Sequence, residues 1–223
     1  MLHTGMTGPD TAAGRLCLEF VNTVRWRASA HPEETLHSYA DLVRWAQRVG
    51  LVSQSRAQKL IHEASPQSAE PSRVLRRAID LREGICRIFL SLIHDRTPAE
   101  VDLAVLNKAL RRTIRGGRLV RSDERFVWEW DVDEEALDSL VGPIALSAAG
   151  LLTSLAYKRV GQCEDDRGCG WLFLDTSKNH SRRWCDMNDC GNRAKQRRHY
   201  ARTRNLRGEG IAPSLRVITP GSD

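Results

Sequence analysis

The sequence of 223 residues is 41% hydrophobic and 28% charged, the composition of an ordinary folded protein, which argues against general disorder. Its formal net charge of +6 is unevenly distributed, because residues 176 to 208 contain ten basic and two acidic side chains, a net +8, and the remainder carries −2. No apolar run reaches the roughly 20 residues of a membrane span, and the N-terminus has neither the basic nor the apolar region of a signal peptide, so we expect a cytoplasmic protein.

Residues 14 to 160 predict a mainly helical body. Apolar residues recur at helical spacing up to Gly50, a short amphipathic helix is predicted from Ser53 to Ala64, and Pro71 opens a helix that ends near His94.

The next helix has the clearest start signal in the chain. Thr97 is followed by Pro98 and, three residues after the threonine, by Glu100, which predicts an N-cap with a capping box. Beyond it "GGRLVRSDERFVWEWD" predicts a β-hairpin, and the helical pattern resumes from Glu134. The fold class is therefore α+β and mainly helical.

Six cysteines divide into two groups by their context. Cys17 and Cys86 lie on apolar helix faces and are interpreted as small buried residues. The other four have the spacing C-x5-C-x15-C-x4-C and are Cys163, Cys169, Cys185 and Cys190. Two close pairs joined by a short insert favour one structural zinc ion in a tetrahedral thiolate site, since disulfides are rare in a reducing cytosol.

The stretch around these cysteines predicts a small treble-clef-like finger. The insert "WLFLDTSKNHSRRW" is expected to form a hairpin between the ligand pairs, and a helix is expected from Gly191–Arg193 to about Asn205. Such a segment is too small for its own core, so the metal replaces one and fixes the start of the helix. Replacing Cys185 or Cys190 by Ser is then expected to unfold the finger and leave the helical body intact.

The helix is basic on both faces, which favours phosphate contacts over a solvated surface, because like charges along a helix repel each other. The returning part of the insert adds two arginines beside it. The candidate nucleic-acid-binding residues are Arg182, Arg183, Arg193, Lys195, Arg197, Arg198, Arg202 and Arg204.

These residues also carry a family resemblance. The segment from "CGWLFLDTSKNHSRRW" through "CDMNDCGNRAKQRRHYARTR" resembles the CGNR zinc finger, named for the tetrapeptide at 190–193, and the part from "LCLEFVNT" to "PIALSAAGLLTS" resembles the ABATE domain. Both occur in bacterial proteins described as stress-induced transcription regulators. The resemblance implies a helical regulatory or ligand-sensing domain at 14–160 and a nucleic-acid-binding zinc finger at 161–207. We expect 208–223 to be a flexible tail.

One arginine lies on an apolar helix face of the body. Arg82 must be paired or face a cavity, because an unpaired buried charge is costly. We expect Glu19 to pair with it; alternatively, Arg82 and Asn22 form a ligand-binding site for an anionic small molecule.

The leading hypothesis is a DNA-binding transcription regulator whose body senses a small-molecule effector or forms a homodimer. The alternative is an RNA-binding protein that uses the same finger, since charge alone does not distinguish the two polymers. An enzyme is disfavoured, because four cysteines describe a closed metal site and the sequence contains no nucleophile motif or phosphate-binding loop.

Overall fold

The computed structural model describes residues 15–65, 67–115, 117–123, 125–130 and 136–206. The predicted tail at 208–223 lies outside these ranges, as does the start of the resumed helix near Glu134. None of the described helices combines the length and apolar character needed to cross a bilayer.

The described chain is mainly helical with small antiparallel hairpins, which confirms the predicted fold class. The helices are α1 Arg15–Val21, α2 Tyr39–Arg48, α3 Gln54–Glu63, α4 Glu70–Ile93, α5 Glu100–Ile114, α6 Val141–Thr153 and α7 Asn192–Leu206. Shorter helical turns occupy Leu137–Leu140, Leu155–Arg159 and Met187–Gly191. The strands are β1 Val24–Arg25, β2 Glu33–Glu34, β3 Gly117–Ser122, β4 Arg125–Trp130, β5 Val160–Gln162 and β6 Leu172–Leu174.

Local signals explain several of these boundaries. Ser38 caps α2 and shares a reciprocal capping box with Asp41, and Ser53 accepts a hydrogen bond from the Arg56 amide at the start of α3. The predicted hairpin is confirmed, with Gly117 opposite Trp130 in the register of β3 and β4.

The predicted start of α5 is wrong. This helix begins at Glu100, and its N-cap residue is Ala99, whose side chain makes no cap hydrogen bond. Asp102 in the first turn is buried and accepts hydrogen bonds at 2.6 and 2.9 Å from Arg87 on α4. Packing against α4 therefore fixes this helix start, and Thr97 does not cap it.

Helix α4 lies in the main core, and Arg82 on it is held by the connection that follows α1. Its guanidinium donates to both carboxylate oxygens of Glu34 at 2.5 and 2.8 Å, to Thr23 Oγ1 at 3.0 Å and to Glu83 at 2.8 Å. The prediction that Glu19 pairs with Arg82 is wrong, since Glu34 is the carboxylate that accepts its hydrogen bonds. The buried charge is therefore compensated by protein groups, and it fixes the path of residues 23–34 across α4.

We expect Arg82→Met to lower the free energy of unfolding by about 3 to 5 kcal/mol, because it leaves carboxylates without their buried partner. The matched control is Arg44→Met, which removes an exposed partner of Asp41 and should cost less than about 1 kcal/mol. Burial alone would raise the pKa of Glu34, but the hydrogen bonds from Arg82 hold it below its ordinary value. The contribution of the Arg82–Glu34 pair to the free energy of unfolding is therefore fully present above the ordinary glutamate pKa. It is lost as the pH falls through the lowered pKa of Glu34 in the folded protein. Urea unfolding of both variants between pH 3 and 7 measures this, and equal losses would contradict it.

The β5–β6 hairpin belongs to the same core as the helices. Val160, Leu172 and Leu174 are buried in the main hydrophobic cluster together with residues of α1 and α4. The hairpin expected inside the insert 171–184 is wrong, because β6 pairs with β5, which precedes the first cysteine pair. All three residues of β6 are buried, and β5 places the buried Val160 opposite Leu174, whereas the returning "SRRW" offers two charged arginines.

Candidate metal centre and nucleic-acid interface

The four cysteines of the predicted zinc site come together. The sulfur atoms of Cys163, Cys169, Cys185 and Cys190 all lie within 4.8 Å of one another. Cys185 Sγ lies 3.7 Å from Cys169 Sγ and 3.7 Å from Cys190 Sγ. A tetrahedral site with Zn–S bonds of about 2.3 Å requires sulfur atoms about 3.8 Å apart, so the donor set fits one structural zinc ion.

Two turns present these sulfurs. The first, residues 163–170, is called the knuckle; it connects β5 to β6, and the Cys163 amide donates to the Trp171 carbonyl at 2.8 Å. The second is the helical turn Met187–Gly191, in which Asp186 accepts from the amides of Asn188 and Asp189. This turn runs directly into α7, so the last ligand, Cys190, lies two residues before the basic helix.

Ionisation of one thiol disfavours ionisation of the thiols beside it. Hydrogen bonds with Cys169 and Cys185 lower the pKa of the Cys163 thiol, and the same contact with Cys163 raises the pKa of Cys185. Four thiolates this close together repel one another, and a bound zinc ion would offset that repulsion. Arg193 Nη2 donates to Cys190 Sγ at 2.9 Å and adds positive charge beside that ligand.

The knuckle is joined to the helical body along one line of hydrogen bonds, which we call the seam: segment 22–29 against residues 168–172. The Arg27 amide donates to the Cys169 carbonyl and the Ala28 amide to the Gly168 carbonyl, both at 3.1 Å. Trp171 Nε1 donates to the Val24 carbonyl at 3.0 Å. The zinc site therefore shares backbone contacts with the segment that follows α1.

Asn22 completes the seam. Its side chain donates to the Leu172 carbonyl and accepts from the Leu172 amide, each at 2.9 Å. Sequence reasoning selected Asn22 as a ligand-binding residue with Arg82, and the structure gives both side chains protein partners. An anionic effector at these residues stays a prediction.

Two glycines allow the seam to close. Gly168 has φ +88°, and a Cβ atom there would lie 2.6 Å from the backbone of Ser29. Gly170 has φ +65°, and its Cβ would lie 2.7 Å from Ala28 Cβ. Both positions need a left-handed backbone and a close approach of two chains, which only glycine provides without strain.

Helix α7 has an inner face that is held by acidic residues of the knuckle and of the turn before the helix. Arg193 donates to Asp165 Oδ2 at 2.9 Å and also bonds Asp189, while Arg197 donates to Asp165 Oδ1 at 2.9 Å and also bonds Asp166. The Asp165 side chain is 0% exposed. Burial alone would raise the pKa of Asp165, but hydrogen bonds from Arg197, the Arg167 amide and Arg193 hold it far below its ordinary value. Asp165 thus fixes the direction in which α7 leaves the zinc site.

The arginines of the insert also have partners within the finger. Arg182 donates to the carbonyls of Trp184 and Cys185, and its guanidinium lies 4.9 Å from the Phe173 ring centroid. Arg183 donates to Glu164 at 2.6 Å on the surface. The role of the acidic residues 164–166 was missed in the sequence analysis. The available signal was their position between the ligands Cys163 and Cys169, together with Arg193 and Arg197 four residues apart on one face of the helix.

The outer side of α7 is open. Lys195, Arg198 and Arg202 are exposed, and Arg198 lies 5.7 Å from the Trp184 ring centroid. All five residues from 198 to 202 are exposed, and five consecutive residues turn through more than a full circle, so the helix projects away from the protein there. The predicted span of this helix is confirmed. The Arg204 side chain lies outside the described residues.

Two family models match the sequence. The ABATE model, described as "Putative stress-induced transcription regulator", matches residues 14–155, and the CGNR zinc finger model matches residues 159–203. No curated protein is similar enough to the chain to count as a match. The domain boundary expected near residue 160 stays a prediction.

Proposed function

The chain belongs to the ABATE family, and we propose that it is a transcription regulator that binds duplex DNA with α7, the helix launched from its zinc site. The single observation that carries this proposal is the projection of α7, whose residues 198–202 are exposed on all sides. A helix with its side chains is about 10 to 12 Å wide, and the major groove of B-DNA is about 12 Å wide.

The charges of α7 support the same partner. Lys195, Arg198 and Arg202 are exposed on one side of the helix, where they can reach the phosphates at a groove edge. Arg193, Arg197 and Arg182 were also candidates, but they already bond carboxylate or carbonyl oxygens of the finger. We therefore assign them to holding the helix and the outer three residues to the DNA backbone.

RNA is the alternative partner and is less well supported. The major groove of A-form RNA is deep and narrow, and side chains on a projecting helix cannot read it.

For the helical body we propose a regulatory role, through an effector or a second copy of the chain. We propose no catalytic activity.

A salt titration of binding to duplex DNA tests the proposal. If Lys195, Arg198 and Arg202 each neutralise one phosphate, they contribute about −3 to the slope of log K against log salt concentration. Arg198→Ala should flatten the slope by about one unit, while Arg112→Ala, an exposed arginine of α5, should leave it unchanged. Absence of binding at low salt would overturn the proposal, and tighter binding to RNA of the same sequence would favour the alternative.

A further inference from the structure

Next to the basic side of α7 runs a second line of side chains that contains no Lys, Arg, Asp or Glu. Asn192, Gln196, His199 and Thr203 follow one another at intervals of four, three and four residues, so they form one stripe along the helix. The stripe spans about 60° of the helix circumference and lies beside the basic side, roughly 100° from that side and roughly 110° from the inner face held by Asp165. It therefore points to where the DNA would lie under the proposed function.

The two ends of the stripe are committed to the protein. Asn192 Nδ2 donates to the Asn188 carbonyl at 3.0 Å, and Thr203 Oγ1 donates to the His199 carbonyl at 3.0 Å. The two middle residues, Gln196 and His199, present exposed side chains with donors and acceptors. The Tyr200 ring stands edge-on to the His199 imidazole at 6.2 Å and limits its orientations.

Resting on the proposed function, we propose that Gln196 and His199 read base edges in the major groove, while Lys195, Arg198 and Arg202 contact the backbone. Three residues along a helix rise about 4.5 Å, close to the 3.4 Å between base pairs, so the two side chains meet neighbouring base pairs. The Gln196 amide matches the donor and acceptor of adenine N6 and N7, and an imidazole N–H matches the acceptors of guanine. The preferred DNA sequence therefore contains an A·T pair that Gln196 contacts, next to a G·C pair that His199 contacts.

The chemistry of the stripe separates it from the basic side. A charged side chain on a phosphate contributes to binding of every sequence alike, whereas an amide or imidazole that bonds a base edge discriminates between base pairs. The two groups of residues therefore predict two different responses to mutation. Loss of a basic residue lowers affinity for all duplexes, and loss of Gln196 or His199 lowers affinity only for the preferred ones.

The test is selection of bound sequences from a random pool of duplex DNA with the zinc-loaded full chain. Wild type should enrich neighbouring A and G positions, Gln196→Ala should lose about ten- to hundredfold discrimination at the adenine alone, and His199→Ala should lose it at the guanine alone. The salt slope should stay unchanged in both variants. Gln196→Arg should convert the adenine preference to guanine, because arginine pairs with guanine O6 and N7.

Controls make each outcome decisive. Gln47→Ala, an exposed glutamine of α2, should leave selection unchanged, and Arg198→Ala should weaken all sequences equally. Zinc content and circular dichroism verify that the exposed substitutions keep the fold. Steep, salt-dependent binding with no enriched sequence, or enrichment unaffected by both alanine variants, would overturn the inference and leave the proposed function standing. No binding to any duplex would overturn both.

Discussion

Removing zinc, by a chelator or by Cys190→Ser, is expected to destabilise the whole chain and not the finger alone. Val160, Leu172 and Leu174 flank the knuckle and are buried in the core of the helical body. The sequence suggested a finger that unfolds while the body remains intact, but the shared core and the seam argue for one cooperative unit. Structural zinc contributes about 10 kcal/mol or more to folding of isolated finger peptides, so even a fraction of this would shift the unfolding midpoint strongly.

The measurement is thermal unfolding followed by far-ultraviolet circular dichroism, which reports mainly on the body helices. We expect one transition in the zinc-loaded protein, a large downward shift on chelation, and no further shift when chelator is added to Cys190→Ser. Cys86→Ala is the control, because Cys86 is buried in the body outside the metal site, and this variant should keep both its zinc and its response to chelator. A helical transition that chelator does not move would contradict the expectation.

The second large effect is expected at the seam. Gly168→Ala should cost about 3 kcal/mol or more, because its left-handed backbone strains any side chain and its Cβ would lie 2.6 Å from the Ser29 backbone. Gly50→Ala is a matched control, since Gly50 has a similar φ of +75° but nothing within 4 Å of the added Cβ. It should cost about 1 kcal/mol, from backbone strain alone.

Unfolding by urea and competition for zinc with a chromophoric chelator give the two readouts. Gly168→Ala should weaken both folding and zinc retention, because Gly168 lies next to the ligand Cys169. Gly50→Ala should leave zinc retention unchanged. Equal losses of stability in the two variants would show that the close approach to Ser29 adds nothing.

The features that the sequence predicted are those determined by local spacing. The spacing of four cysteines predicts their convergence, and the frequent basic residues after Cys190, with no acidic residue among them up to Leu206, predict the exposed helix. Long-range partners were missed, because periodicity does not say which carboxylate meets which arginine. Arg82 pairs with Glu34 instead of Glu19 because the chain returns across α4 at β2, and Arg197 meets Asp165 because the knuckle folds under α7.

The same limit explains the strand that paired elsewhere. The apolar stretch 171–174 predicts a strand, but the sequence does not say which segment pairs with it. The pairing depends on which segment can be buried beside it: Val160 is buried, whereas Arg182 and Arg183 are not. Thr97 illustrates the reverse case, in which a good local signal was overridden by the buried contact between Asp102 and Arg87.

The projection of α7 also sets how firmly its own backbone is held. Up to Arg197 the helix is anchored through Asp165, and Arg198 still lies over the Trp184 ring. Residues 199 to 202 are exposed and rest on intrahelical hydrogen bonds, with like charges at Arg198 and Arg202 one turn apart. Short helices without tertiary support are marginal in water, so amide hydrogen exchange should quicken along this single helix from its anchored start to its exposed end. Part of the contact energy with a partner is then used to order those last turns, which lowers the net affinity and favours rapid dissociation.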